Sequence, residues 1–497
     1  MDARRAGRVG VVAGTSTLLL TALTVVAPAA SAATVARYTI TDLGSLGTGD
    51  LSVAKAVNNA GVVVGYSDPT SVTVHGFKWS NGALTDLGTL PGGQFSWANA
   101  INDAGQIAGT ADRPPMYYGY PVRWSASGAI TDLGGTVDNA LGVGNGIDPS
   151  GQVAGGQRPG DSEGSPLGTL YRADGTRVDL EPDLGVANGI NAVGQVVGEP
   201  SYIWRNGTVT FLPGFPGTGS TRATAINISG TVVGSAGAGD NDLAVRWLGT
   251  TPTSLGAVAG IPHNTATAVN AAGQIVGTAD PLCSPCAAPR AWLWQAGTFT
   301  VLDDLIPAGS GWSLQQANGI NDRGQIVGAG LHNGHLRAYL LTPAYSVSVN
   351  FAPAGAAVPV GYRADTGSAY GARTGGLTYG WNIDNSVNAR DRNDASSPDQ
   401  RYDTFNHMQK PAGATRWELA LPNGRYLVHL VAGDPAATDS TYRLTAEGQL
   451  VVSGTPTASQ HWIEGTAVVT VTDGRLTIAN GSGSVNDKIS YLDVTSA

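Results

Sequence analysis

One ten-residue phrase recurs through most of this chain and restricts what it can fold into. Its cleanest copy is Gly319-Ile320-Asn321-Asp322-Arg323-Gly324-Gln325-Ile326-Val327-Gly328, and six others begin at Ala56, Ala100, Gly146, Gly189, Ala225 and Ala268. They share an apolar residue followed by Asn or Asp, two variable residues, Gly, one more residue, two mostly apolar residues and Gly. Asn first and Gly fourth in a tight turn fit type I turn chemistry, with glycine free to take positive φ where the next strand begins. The phrase reads as a hairpin corner, written once per structural unit.

Two further motifs alternate with it between Tyr38 and about Pro343. One ends in a leucine: Thr41-Asp42-Leu43-Gly44, Thr85-Asp86-Leu87-Gly88 and Thr131-Asp132-Leu133-Gly134, then looser versions around Leu180, Leu212, Leu255 and Leu302. The other is a short aromatic strand, as in Phe77-Lys78-Trp79, Val122-Arg123-Trp124, Val245-Arg246-Trp247 and Ala338-Tyr339-Leu340. Each set numbers seven, and the corners lie about 44 residues apart, the length of a four-stranded propeller blade. The short run before each corner, such as Ser96–Ile101, is expected as a blade's fourth strand. No run has the length and 3.6-residue period of a helix.

The chain enters on a leucine motif at Leu43 and leaves on an aromatic strand at Tyr339 with no leucine motif after it. The unmatched first strand is what the last blade lacks. Pairing Tyr38–Leu46 beside Arg337–Leu341 would close the ring and remove exposed sheet edges. The expected fold is all-β: a seven-bladed β-propeller closed by its N-terminal strand, over residues 33–343, followed by a β-sandwich.

These motifs resemble the bacterial extracellular HAF-repeat family. The matching pieces are Trp79-Ser80-Asn81-Gly82, Thr85-Asp86-Leu87-Gly88-Thr89-Leu90-Pro91-Gly92-Gly93 and Ala100-Ile101-Asn102-Asp103-Ala104-Gly105-Gln106-Ile107. The resemblance implies an extracellular repeat protein and brings no catalytic residue set with it. The third and fifth units depart most, with Tyr171-Arg172 in place of the Trp and Thr210-Phe211-Leu212 in place of Thr-Asp-Leu.

Residues 1–32 read as a secretory signal peptide: Arg4, Arg5 and Arg8, an apolar run through Leu18 to Val26, and Ala30-Ser31-Ala32 before the cleavage point. No later stretch approaches the roughly 20 apolar residues of a spanning helix, so a secreted protein without membrane insertion is expected. Loss of Asp2 and the three arginines moves the formal charge from −9 to −11. An acidic chain with no basic stripe argues against nucleic acid as partner. Cys283 and Cys286, in Cys-Ser-Pro-Cys, are expected to form a loop-pinning disulfide in an oxidising compartment.

Within the repeats, Asp42, Asp86, Asp132 and Asp179 are best read as bonding their own turns, because a blade needs its turn repeated and a site does not. Trp79, Trp124, Trp204, Trp247 and Trp294 keep a fixed strand position and suit packing between blades. Trp97 and Trp312 follow glycine-rich loops and are the propeller-face ligand candidates. No catalytic constellation, phosphate loop or metal motif appears.

Residues 344–497 carry short alternating strands, among them Arg416–Leu421, Arg425–Val431, Trp462–Val471 and Ile489–Val494, and read as a β-sandwich. The hairpin Leu421-Pro422-Asn423-Gly424-Arg425-Tyr426-Leu427-Val428-His429-Leu430 and the following Gly433-Asp434 look like the central hairpin of galactose-binding-like, malectin-like jelly-roll modules. Between them and the repeats, residues 379–408 concentrate amides, carboxylates, arginines and aromatics. Such mixtures bind sugars, since planar polar groups take paired hydroxyls and aromatic faces cover C–H faces. The candidate glycan-binding residues are Tyr379, Trp381, Asn385, Arg390, Asp391, Arg392, Arg401, Tyr402, Asp403 and His407. The competing reading is a self-satisfied structured loop.

No cofactor is expected. Asp391, Asn393 and Asp394 raise the question of a structural Ca²⁺ but lack the EF-loop spacing and its terminal Glu. The sequence therefore points to a secreted, monomeric, non-catalytic protein that binds a polysaccharide or glycan through the sandwich. Two alternatives stand beside it. One is a polysaccharide lyase or hydrolase with its site on the propeller face, or with Asp391, Asp403 or Glu464 as paired carboxylates. The other is a cell-surface protein-interaction scaffold.

Overall fold

The chain is described from a computed structural model over residues 37–497, apart from positions 71, 115–118, 135–141, 159–165, 182, 217, 239–240, 282–287, 375 and 411–414. Residues 1–32, expected as a leader, and the cysteines Cys283 and Cys286, expected as a disulfide, lie outside the described residues. Seven four-stranded antiparallel sheets come first, and the inner strands of successive sheets touch around a closed ring. These inner strands are Ser52–Val57, Ser96–Ile101, Gly142–Ile147, Ala187–Ile190, Ser220–Ile226, His263–Val269 and Trp312–Ile320, which begin blades 1 to 7. The run before each corner is thus the first and innermost strand of its blade and not, as expected, the fourth. Periodicity located the runs, but only contact between neighbouring sheets could say which edge faces the axis.

The corners sit between the first and second strands of every blade. In each, Asn or Asp accepts from the glycine three residues on, as Gly61 N to Asn58 O at 2.9 Å and Gly324 N to Asn321 O at 3.0 Å. Those glycines hold φ of +71° to +86°, where a side chain would be strained. The leucine-motif aspartates serve their own turns: Gly44, Gly88 and Gly134 donate their backbone N–H to Asp42, Asp86 and Asp132 at 2.7–2.8 Å. The indoles that recur at one strand position pack between blades, and Trp124 and Trp247 donate Nε1–H to the preceding blade's Leu87 and Pro213 carbonyls at 3.0 and 2.8 Å.

The ring closes with the first strand. Tyr38–Asp42 runs antiparallel to His335–Pro343, with Tyr38 opposite Pro343, Ile40 opposite Leu341 and Asp42 opposite Tyr339. Tyr38 and Leu341 are buried in one apolar cluster with Leu314 and Ile326 of the same blade, so the edge strand is held by packing as well as by its ladder.

From Ser346 onward the sheets change. A five-stranded sheet (Arg363–Asp365, Ser346–Phe351, Tyr491–Ser496, Gly424–Gly433, Trp462–Val471) faces a six-stranded one built around Thr378–Trp381, Arg416–Ala420, Arg475–Asn480 and Tyr442–Ala446. Between them lies a single core that includes Phe351, Trp381, Trp417, Leu430, Leu444, Ile478 and Leu492. The stretch read as a long loop is folded: it holds the strands Thr378–Trp381, Ala389–Asp391 and Thr404–His407 and a one-turn helix, Gln400–Asp403. Residues 36–497 form one compact unit, with the sandwich set on the corner end of the propeller.

Candidate functional site

The corner asparagines do more than turn the chain. Asn58 Nδ2 donates to the carbonyl of Asn102 at 3.1 Å, and Asn102 to that of Asp148 at 2.9 Å. Asn191 donates to Asn227, Asn227 to Asn270, Asn270 to Asn321, and Asn321 back to Asn58, at 2.8–2.9 Å. Six of the seven junctions are thereby linked in a head-to-tail circle. The missing link starts at Asp148, whose carboxylate has no proton to donate. There the neighbouring glutamine reverses: Gln152 Nε2 donates to Asp148 Oδ2, whereas Gln274 and Gln325 accept from their asparagines.

The residue after each corner Asn or Asp forms the rim of the axial opening. In blades 3 to 6 it is Pro149, Ala192, Ile228 and Ala271; in blades 7, 1 and 2 it is Asp322, Asn59 and Asp103. The polar three are stitched together. Asn59 donates its backbone N–H to Asp103 Oδ1 at 2.8 Å and shares its amide between Asp103 Oδ2 at 3.0 Å and Asp322 Oδ2 at 3.1 Å. Burial, aided by the charge of Asp322, pushes the Asp103 carboxyl up despite the bonds from Asn59.

The sandwich roofs this opening with two segments. Pro359, Val360 and Tyr362 come from the loop before Arg363–Asp365, and Asp399, Gln400 and Arg401 from the one-turn helix. Arg401 is the anchor. Its Nη1 lies 2.7 Å from Asp322 Oδ2, its Nε and Nη2 grip Asp399, and its guanidinium stands 5.2–5.8 Å from the ring centres of Tyr362, Tyr402 and Tyr491. Burial alone would neutralise Asp322, yet Arg401 and the N–H donors of Ala271 and Asn59 hold its carboxyl below the usual range. Thr466 Oγ1 on Ala272 O and Ser346 Oγ on Arg323 O, both at 3.1 Å, add to the seam.

Between rim and roof lies a cavity of about 380 Å³. Its floor is an apolar collar of Val57, Ile101, Ile147, Val269 and Ile320, and polar groups of Asn59, Asn102, Asp103, Gln400 and Arg401 converge above it. This volume falls within the range of small-molecule sites, about 300–1,000 Å³. Among the described residues no group of three or more His, Cys, Asp or Glu is placed to hold a metal ion.

Of the residues singled out from the sequence, only Arg401 reaches the cavity. Trp381 was expected as a sugar platform; it is fully buried, its Nε1–H on Asp365 Oδ1 at 2.8 Å and its ring edge-on to Phe351. Tyr379 and Tyr402 are also buried, the Tyr379 hydroxyl donating to Ala364 O and the Tyr402 hydroxyl accepting from that of Tyr491. Asn385 bonds Asn406 and the His407 carbonyl, and Arg390 turns back on the carbonyls of Val387 and Ala389. Arg392 grips Asp434 with two bonds at 2.9 and 2.6 Å. His407 is buried, and desolvation together with Lys410, Lys488 and Arg390 pushes it down to about 4. An open aromatic-walled groove is therefore not formed by these side chains, because the sandwich uses them as core and as internal bonds.

The paired-carboxylate alternative meets a similar obstacle. Burial, and then the neighbouring Asp403, push the Asp391 carboxyl up, and Asp403 Oδ1 is taken up by the Asp394 N–H and the Ser397 hydroxyl at 2.9 and 2.8 Å. Glu464 instead faces the buried His429 at 3.5 Å. Trp97 stacks on Phe95 and Trp312 on His332, the latter with centroids 4.4 Å apart. Both sit at the starts of their inner strands, away from the corners, and do not join the Arg401 cavity. Asn59, Asp103 and Asp322 were passed over as variable turn positions; the signal available was that they are polar in three adjacent repeats and mostly apolar elsewhere.

Fold and site together define a seven-bladed propeller whose axial opening is roofed by a β-sandwich. No protein-family model matches the chain, and no curated protein matches it. Among solved structures it is similar to protein YXIM of Bacillus subtilis at 23% identity over 31% of this chain, with a TM-score of 0.22, and it spans only 40% of that structure's length. It is also similar to a TolB of Agrobacterium tumefaciens, at 10% identity and TM-score 0.33 over 59% of this chain and 91% of the other. A family 35 carbohydrate-binding module of Clostridium thermocellum matches 17% of this chain and 72% of its own length at 22% identity, TM-score 0.13.

Proposed function

We propose that this chain is a secreted, non-catalytic binding protein that takes a sugar unit of a larger glycan into the axial cavity. The observation that carries this reading is the convergence of planar amides and carboxylates, Asn59, Asn102, Asp103 and Gln400, over an apolar collar. Hydroxyl pairs suit the former and a C–H face suits the latter. The ligand site then belongs to propeller and sandwich jointly, not to the sandwich alone. The HAF-like repeats and the leader peptide support export.

The test is a glycan array probed with the mature full-length chain, followed by calorimetry on any hit. Gln400→Ala and Asp103→Asn should each weaken a true ligand about tenfold or more, which is the loss of one or two hydrogen bonds at roughly 1–1.5 kcal/mol each. Retention unaffected by both substitutions would move the site elsewhere. No retention on any plant or microbial glycan would defeat the reading.

A further inference from the structure

A second hydrogen-bonded belt lies deeper in the channel, three residues before each corner Asn or Asp. Asn99 donates to Gly144 O, Asn145 to Ala187 O, Asn188 to Ala223 O and Asn318 to Ala54 O, at 2.9–3.1 Å. Thr224 and Thr267 make the same step with their hydroxyls, to Ala266 O and Ala317 O. Each donor in a described inner-strand ladder stands at or beside the same one-residue register shift, so its side chain leaves the sheet and crosses to the next blade.

Blade 1 breaks the rule. Its belt residue is Lys55, at the shift between Ala54 and Ala56. Its equivalent acceptor would be Ala98 O, yet the half-buried ammonium has no hydrogen-bond or ion-pair partner among the described residues. Burial disfavours its charge, and Arg222 of blade 5, from across the ring, adds repulsion. Arg222 itself is more than half exposed and bonds Glu199 at 2.6 Å, so its charge is already matched. Lys55 is thus a cation with no carboxylate partner among the described residues, in a channel otherwise belted by neutral amides and hydroxyls.

The geometry points to a carboxylate-binding site at Lys55, inside the propeller channel and beneath the Val57–Ile320 collar. It is separate from the cavity under Arg401 and does not depend on the glycan reading. The carboxylate can be borne by a uronic acid or by a simple organic acid, and both carry the same group to the same ammonium.

The chain has four lysines, Lys55, Lys78, Lys410 and Lys488, so reductive ¹³C-methylation gives a short NMR spectrum. Titration of the full mature chain with a galacturonate oligomer and with succinate, at fixed ionic strength, should shift the Lys55 methyl resonance and raise the melting temperature by several degrees. A neutral galactose oligomer should do neither. Whichever acid responds identifies the source. In Lys55→Asn and Lys55→Thr, which restore the residue types of the other blades, the melting shift should vanish. The proposal falls if neither acid moves the Lys55 resonance, or if both variants are stabilised as the natural chain is.

Discussion

Arg401 of the sandwich and Asp322 of the seventh blade meet at 2.7 Å, both largely buried, over the axis of the propeller. Removing one member leaves the other as an uncompensated charge, which costs about 3–5 kcal/mol. Arg401→Ala should therefore destabilise the chain by that amount and split a single melting transition into two, read by calorimetry. Because the folded Asp322 carboxyl titrates below its unfolded value near 3.9, its contribution is whole above that pH and fades as pH falls through the lower folded value. The acid limb of the stability profile should be shallower in Asp322→Asn.

The corner circle makes a paired prediction. Asn270→Ala removes a donor to Asn321 O and leaves the buried Gln274 N–H without its Asn270 Oδ1 acceptor, at a cost of about 1–3 kcal/mol. Asp148→Asn supplies the one missing donor, toward Asn191 O, and should stabilise by roughly 0.5–1.5 kcal/mol. Urea midpoints of the two variants should move in opposite directions.

His429 is wholly buried between Asp493 at 3.3 Å and Glu464 at 3.5 Å. Burial works against its charge, but the two carboxylates overcome this and raise it to about 9. A folded value above the unfolded 6.5 means that this contribution is complete below about pH 6.5 and is lost as pH rises through about 9. Melting temperature should fall over that interval, and His429→Gln should flatten the fall.

Trp381→Ala separates a core role from a binding role. The indole fills the sandwich core and satisfies Asp365 together with Trp417, so the substitution should cost about 3–5 kcal/mol and lower the denaturation midpoint. Glycan affinity measured on the fraction that remains folded should be unchanged.

The ring was legible because its constraint is periodic. Asn, or once Asp, at the first turn position and Gly at the fourth recur seven times, and the surplus Leu43 motif disclosed which strand completes the last blade. What periodicity hides is direction. The same Asn58 that caps its turn also reaches Asn102, and nothing in one repeat says that its amide crosses to the next. In the sandwich, residue type misled: Trp381 and Tyr379 are sugar-binding residue types, but their neighbours on the strand Thr378–Trp381 alternate into a core whose partners, Trp417 and Phe351, lie tens of residues away. Arg401 was singled out, though its partner Asp322, on the other side of the Pro343 boundary, was not.

The first described strand is received only by the seventh blade. Tyr38–Asp42 must wait for about three hundred residues before His335–Pro343 arrives to receive it, and until then blade 7 has no outer edge. A chain cut short before Pro343 would leave an arc with unpaired sheet edges, of the kind that invites aggregation.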